Sequence, residues 1–180
     1  MIIGLSGYAQ SGKDTVAELL CLNYGYKRMS FADPIRNAVY ALNPMLEGGR
    51  RVAELVDEYG WDVAKANPEV RRLLQVFGTE VGRKQFGENF WVQQAFDNLE
   101  STKVVFADVR FPNEANEIIQ YGGQVWRVNR HNHAPVNDHK SEHAMDNFMF
   151  KHVLYNDGTI DDVSDEVFML ARELRLDVQS

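Results

Sequence analysis

The sequence predicts an α/β fold in three layers, a five-stranded parallel sheet with helices on both faces, joined by a helical region and a lid. Three observations predict it. The apolar run Met1 to Ser6 passes through a glycine-bearing loop straight into a helical pattern; Lys103 to Asp108 (KVVFAD) is an unbroken apolar run of the kind that fills a buried parallel strand; and short strand-like runs alternate with helical ones along the chain. At 180 residues, 44% hydrophobic and 25% charged, the chain is long enough for one compact domain and short for two.

Each element follows from local chemistry. After the loop Gly7 to Lys13 (GYAQSGK), the residues Val16, Ala17, Leu19 and Leu20 make one apolar helix face over Asp14 to Asn23, and Gly25 stops it. Tyr26 to Ala32 alternates as a second strand. Asp33-Pro34 then offers a cap followed by proline, starting a helix that runs to about Leu42, where Asn43-Pro44 ends it. Met45 to Asn67, with mixed charges, Gly48-Gly49 and only a weak helical stretch near Val52 to Tyr59, reads as a peripheral insertion. Asn67-Pro68 repeats the cap and proline. Val70, Leu73, Leu74, Phe77 and Val81 give that helix an inward face, and Arg71, Arg72 and Gln75 lie on the other. A shorter helix is expected from Glu88 to Glu100, and the third strand ends at Asp108. A helix over Asn113 to Tyr121 stops at Gly122-Gly123. Gln124 to Asn129 is the fourth strand and His152 to Asn156 the fifth. Between them Arg130 to Phe150 is polar and histidine-rich, a lid in its composition. Val163, Val167, Leu170, Ala171 and Leu174 mark a closing amphipathic helix.

The chemistry concentrates at the amino terminus. The spacing of Gly7, Gly12 and Lys13 is that of a phosphate-binding loop: the glycines let backbone N–H groups turn inward, the following helix adds its positive end, and Lys13 supplies a point charge for the β/γ-phosphates. Asp14 stands where a hydroxyl usually follows the lysine, so Mg²⁺ would be held by Asp14 or by the hydroxyl of Thr15, with Asp108 at the end of the third strand as a further oxygen ligand. Arg36, Arg83 and Arg110, on separate elements, are candidates to clamp a second anionic substrate. Arg127 and Arg130 bracket the lid. A phosphate loop, a strand-end carboxylate and dispersed arginines are the parts that phosphoryl transfer needs, because there the protein chiefly positions groups and neutralises charge.

Other classes are disfavoured. The net charge of −7 with scattered Lys and Arg argues against binding a nucleic-acid polymer. The single cysteine, Cys21, excludes an internal disulfide and a cysteine metal cluster and suits a reducing compartment. No apolar run reaches membrane-spanning length and Met1 leads straight into the first strand, so a cytosolic protein is expected. His131, His133, His139 and His143 read as an exposed, pH-sensitive flap rather than a zinc site.

Taken together, SGKDT at Ser11 to Thr15, FADPIR at Phe31 to Arg36, LLQVFGTEVGR at Leu73 to Arg83, Phe90-Trp91-Val92, DVRFPNEA at Asp108 to Ala115, HKSEHAMD in the lid and YNDGTIDD near the end resemble the phage-type deoxynucleoside monophosphate kinases, a branch of the P-loop nucleoside monophosphate kinase fold. The resemblance implies transfer of the γ-phosphoryl group of ATP to a deoxynucleoside monophosphate, with Mg²⁺, and a single P-loop kinase domain with an acceptor-binding insertion over about 43–100 and a lid over about 130–150. It implies that Gly7, Ala9, Gln10, Ser11, Gly12, Lys13, Asp14 and Thr15 hold ATP, helped by Arg127. Asp33, Arg36, Gln75, Arg83 and Arg110 become acceptor candidates, and Lys13, Asp108 and Arg130 the catalytic set; Trp61, Trp91 and Trp126 are by type more often packing residues than base-stacking platforms, and Trp91 is the one to test as a further acceptor contact. A homodimer is a candidate assembly. Similar loops serve kinases of dephospho-coenzyme A and phosphomevalonate, which leaves another small phosphorylated acceptor as the nearest alternative, and a non-catalytic ATP-binding regulator as a rival from a different class.

Overall fold

The computed structural model describes residues 1–131 and 143–176. Among these the chain runs β1 (Ile2–Ser6), α1 (Lys13–Tyr24), β2 (Lys27–Met29), α2 (Asp33–Leu42), α3 (Val52–Ala64), α4 (Pro68–Val76), a π-helix (Phe77–Arg83) with a last α-turn (Lys84–Phe86), α5 (Phe90–Asp97), β3 (Val104–Phe106), α6 (Pro112–Gln120), β4 (Gln124–Asn129), β5 (His152–Tyr155) and α7 (Ile160–Glu173). It divides into two compact units, Met1–Ser30 with Leu99–Ser180, and Phe31–Asn98. The second unit begins at α2, about a dozen residues before the insertion expected from the sequence.

The first unit carries the sheet, in the order β2-β3-β1-β4-β5, with every neighbouring pair parallel. β1 and β3 are buried along their whole length, as continuous apolar runs in a doubly covered parallel sheet must be. Alternation then sorts the side chains. Ile3 and Leu5 of β1 and Trp126 and Val128 of β4 share a core with Val16, Ala17 and Leu20 of α1 and Val163, Val167 and Ala171 of α7. On the opposite face Ile118 of α6 packs over Gly4 beside Val125. Arg127 has the parity of Val125 and so leaves the α1/α7 core. α1 stops at Gly25, whose left-handed conformation returns its N–H to Cys21 O. Burial raises the pKa of the Cys21 thiol above its ordinary value, which suits a packing residue rather than a nucleophile.

The second unit has its own core of Val39, Leu46, Val52 and Val70, with Leu55, Val56, Trp61, Leu73, Leu74 and Phe77 against it. This corrects the reading of Met45 to Asn67 as a peripheral insertion with a weak helix. The segment forms the thirteen-residue α3, kinked at Gly60, and its Val52 is fully buried. The apolar positions 52, 55 and 56 had the helical period all along, but exposed Glu54, Asp57, Glu58 and Tyr59 diluted it.

Candidate active site

The turn from β1 to α1 has the backbone that its glycines allow. Gly7 lies at φ +146° and Gly12 at φ +102°, and a Cβ on Gly7 would fall 2.3 Å from the Val128 carbonyl oxygen. Gln10, at φ +63°, completes the turn. Gly12 caps α1 without a side chain, so the helix meets the loop with its positive end, where anions bind. Ser11 is buried, and its Oγ has no hydrogen-bond partner among the described residues, an arrangement that costs about 1–3 kcal/mol unless a ligand supplies one. Its carbonyl accepts from Asn156 Nδ2 at 3.0 Å, which ties the loop to the end of β5. Lys13 Nζ curls back over the loop and donates to the carbonyls of Gly7 at 2.8 Å and Tyr8 at 2.7 Å.

Parallel pairing brings cations to this loop from distant positions. Ser6 is in register with Arg127, and the turn after β3 leaves the sheet at the same end, so Gly7, Ala9 and Lys13 line one narrow cleft of about 10 Å³ together with Arg110 and Arg127. Arg110 therefore belongs with the loop residues. Arg127 is only 8% exposed, and the structure surrounds its charge with partners. Its guanidinium lies 4.7 Å from the centre of the Tyr8 ring and 5.4 Å from that of Phe150, and it reaches Asn129 Oδ1 at 3.2 Å and Asp146 at 3.5 Å. Asp146 also accepts from the Tyr8 hydroxyl at 2.9 Å and pairs with His143 Nδ1 at 2.9 Å. Burial works against its charge, but the hydrogen bonds from His143 and Tyr8 and the charge of Arg127 outweigh it, and the Asp146 carboxyl is held below its ordinary value. Burial, followed by the bond to Asp146, raises that of Tyr8. Beside this cluster a cavity of about 710 Å³ is lined by Ser11, Asn129, Arg130 and Tyr155, so Arg130 sits next to the loop in the first unit as well.

The carboxylates are less tightly grouped. Asp108, in the turn after β3, accepts a hydrogen bond from Ser30 Oγ at 2.6 Å. Asp14 faces solvent and pairs with Arg28; Thr15 is half-buried on α1. Among the described residues no three of His, Cys, Asp or Glu gather to hold a metal. His133 and His139 lie outside the described residues; His131 pairs with Asp157 at 2.6 Å.

The other acceptor candidates belong to the second unit. Arg36 Nη1 bonds Asp33 Oδ1 at 2.9 Å, and Arg36 and Gln75 line a cavity of about 520 Å³ walled by Ile35 and Leu74. Arg83 is half-buried at the end of the π-helix. Trp91 departs from the expectation of a substrate contact. The indole is buried and its Nε1–H is taken by Gly78 O at 3.0 Å, so no face is offered to a base. Sequence reasoning passed over Arg71 and Lys65, which line that cavity too. The signal for Arg71 was present, since it stands four residues before Gln75 on one helix face. Tyr8, Asp146 and Asn156 stand in stretches the sequence marked, GYAQSGK, HKSEHAMD and YNDGTIDD, but nothing local says what each meets, because each acts across more than a hundred residues of sequence.

A glycine loop with a lysine at the start of a helix, placed at the carboxyl edge of a parallel sheet and overlooked by two arginines, is built for the anionic tail of a nucleoside triphosphate. With a separate arginine-bearing cavity in its second unit, the chain is a P-loop kinase. It belongs to the deoxynucleotide monophosphate kinase family, whose model matches residues 52–167, well over half of its length. A protein of Acanthamoeba polyphaga mimivirus named as a deoxynucleotide monophosphate kinase is 29% identical over 191 aligned positions, covering 93% of this chain and 94% of its own. The deoxynucleoside-5′-monophosphate kinase of Escherichia phage T5 is 27% identical over 63% of this chain and 70% of its own. Among solved structures, dephospho-CoA kinase from Campylobacter jejuni superposes with a TM-score of 0.49 at 13% identity, covering 96% of each chain, a likeness that bears on neither substrate nor mechanism.

Proposed function

We propose that the chain transfers the γ-phosphoryl group of ATP to a deoxynucleoside monophosphate, giving ADP and the deoxynucleoside diphosphate. The observation that carries this reading is the cleft in which Gly7 and Ala9 meet Lys13, Arg110 and Arg127, because a transferring phosphoryl group spreads its charge over three equatorial oxygens that need several fixed cations. Backbone N–H groups between Gly7 and Thr15 hold the β- and γ-phosphates, and Ser11 Oγ gains the partner it lacks. Lys13 exchanges the two carbonyls it now holds for phosphate oxygens. Arg127, held by Tyr8, Phe150 and Asp146, supplies a charge beside the loop, and Arg130 closes the same side. Asp14, Thr15 and Asp108 carry the oxygen atoms that Mg²⁺ takes as ligands and would hold it, with waters completing its shell, once Asp14 leaves Arg28, and the ion would supply further neutralisation of the phosphates. Arg36, Arg71, Lys65 and Gln75 bind the acceptor, with Ile35 and Leu74 against its base.

The test is a panel of deoxynucleoside and ribonucleoside monophosphates incubated with ATP and Mg²⁺, with dephospho-coenzyme A and phosphomevalonate alongside and ADP formation as the readout. Phosphorylation of at least one deoxynucleoside monophosphate is expected, with Lys13→Ala about 10²-fold slower or worse. Turnover of only the two non-nucleotide compounds, or of nothing, refutes the reading.

A further inference from the structure

One feature of the second unit is not explained by packing alone. Phe77–Arg83 is wound as a π-helix of seven residues, although such winding is rare, usually a single turn, and found mostly at functional sites. Trp91 is keyed into it. The indole Nε1–H donates to Gly78 O at 3.0 Å, and the ring rests on the bare backbone of Gly82, where a Cβ would come within 1.9 Å of Nε1. Phe90 meets Trp91 edge-on at 4.8 Å and stacks on Phe86 at 4.8 Å, so α5 grips the same stretch from its far end.

Arg83 lies beyond the cavity lining, and by ideal helix geometry the winding sets which way it faces. Arg71, Leu74 and Gln75 of α4 line the 520 Å³ cavity. At about 100° per residue, an α-helix would put Arg83, eight residues after Gln75, about 80° away from it around the axis. A π turn takes in one more residue and so sets everything beyond it back by about 100°, which leaves Arg83 within about 20° of Gln75. On this geometry the π-helix places Arg71, Gln75 and Arg83 in one row, roughly 12 Å from Gln75 to Arg83, a span over which an extended nucleoside monophosphate can meet both an apolar base pocket and a phosphate-binding guanidinium.

We infer that Trp91 is a positioning residue for the acceptor: by holding Phe77–Arg83 in π winding through Gly78 and Gly82, it aligns Arg83 with Gln75 and Arg71 for the acceptor phosphate. The inference rests on the acceptor reading of this cavity. It is tested by steady-state kinetics of the full chain carrying Trp91→Phe, Arg83→Ala or both, varying the deoxynucleoside monophosphate at saturating ATP and the reverse. Trp91→Phe, which keeps an aromatic ring and loses the N–H, should raise the acceptor KM about tenfold and leave the ATP KM unchanged. Arg83→Ala should raise the acceptor KM about a hundredfold, and the double variant should match Arg83→Ala within twofold. If Trp91→Phe adds its full factor on top of Arg83→Ala, or leaves the acceptor KM unchanged, the positioning role is wrong. If Arg83→Ala itself leaves the acceptor KM unchanged, the acceptor reading of Arg83 is what fails. Should Trp91→Phe not fold, Gly82→Ala disturbs the same contact from the other side; the same acceptor-only effect, absent in the Arg83→Ala background, is expected, and a normal acceptor KM in folded Gly82→Ala overturns the inference.

Discussion

Replacing Gly7 by alanine puts a single methyl group where the structure leaves no room. Gly7 sits at φ +146°, a region essentially reserved for glycine, which costs an L-residue about 1–3 kcal/mol. The new Cβ would also lie 2.3 Å from the Val128 carbonyl oxygen and 2.7 Å from Ser11 Oγ. The first of these neighbours is backbone near the end of the buried strand β4, held in the sheet by pairing with β5, and cannot swing aside, so overpacking adds about 1–3 kcal/mol. The sum, about 2–6 kcal/mol, corresponds to a fall in Tm of roughly 4–24 °C for a chain of this size. The loop relieves the clash by moving, and a displacement near 1 Å of the amides that hold the transferring group is expected to slow turnover about 10²-fold. Gly49→Ala is the control: its φ is also positive, +78°, though nearer the left-handed helical range, and its Cβ would meet nothing within 4 Å. It should lose about 1–2 kcal/mol of stability and no activity. Thermal melts and saturating-substrate kinetics on the two variants side by side decide the matter. A Gly7→Ala protein with wild-type Tm and turnover would refute the argument that this backbone is a fitted cradle.

Two further outcomes follow from other parts of the molecule. Because the folded Asp146 carboxyl titrates below its ordinary value, its contribution to stability is fully present above the unfolded carboxylate pKa of about 4 and is lost as pH falls through the folded value; the Tm difference between wild type and Asp146→Asn should therefore be largest near neutral pH and vanish in acid, and a difference that grows on acidification would contradict the assignment. Arg71→Ala should raise the acceptor KM by about tenfold to a hundredfold with the ATP KM unchanged, while the neighbouring Arg72→Ala, outside the cavity lining, should change neither, as measured by initial rates with each substrate varied.

The sequence by itself determined what depends on neighbours along the chain. The glycine loop, its lysine, the two cap-proline helix starts and the apolar runs of β1 and β3 are local signals, and the loop residues Gly7 to Thr15 stand where the spacing put them. Arg36 and Gln75, read as acceptor candidates, do line one cavity. Tertiary structure alone decided which distant groups meet. The order β2-β3-β1-β4-β5 and the register of Ser6 with Arg127 bring Arg110 and Arg127 to a lysine about a hundred residues away, and the alternation of β4 turns Arg127 out of the α1/α7 core toward Tyr8 and Asp146. Packing of Trp91 against two glycines accompanies a π-helix that no periodicity announced, and burial of Leu46 and Val52 made core of a stretch whose charges looked peripheral. The physical reason is the same in each case: propensity and spacing act over a few residues, whereas strand pairing and side-chain packing join positions whose separation in sequence carries no information about their distance in space.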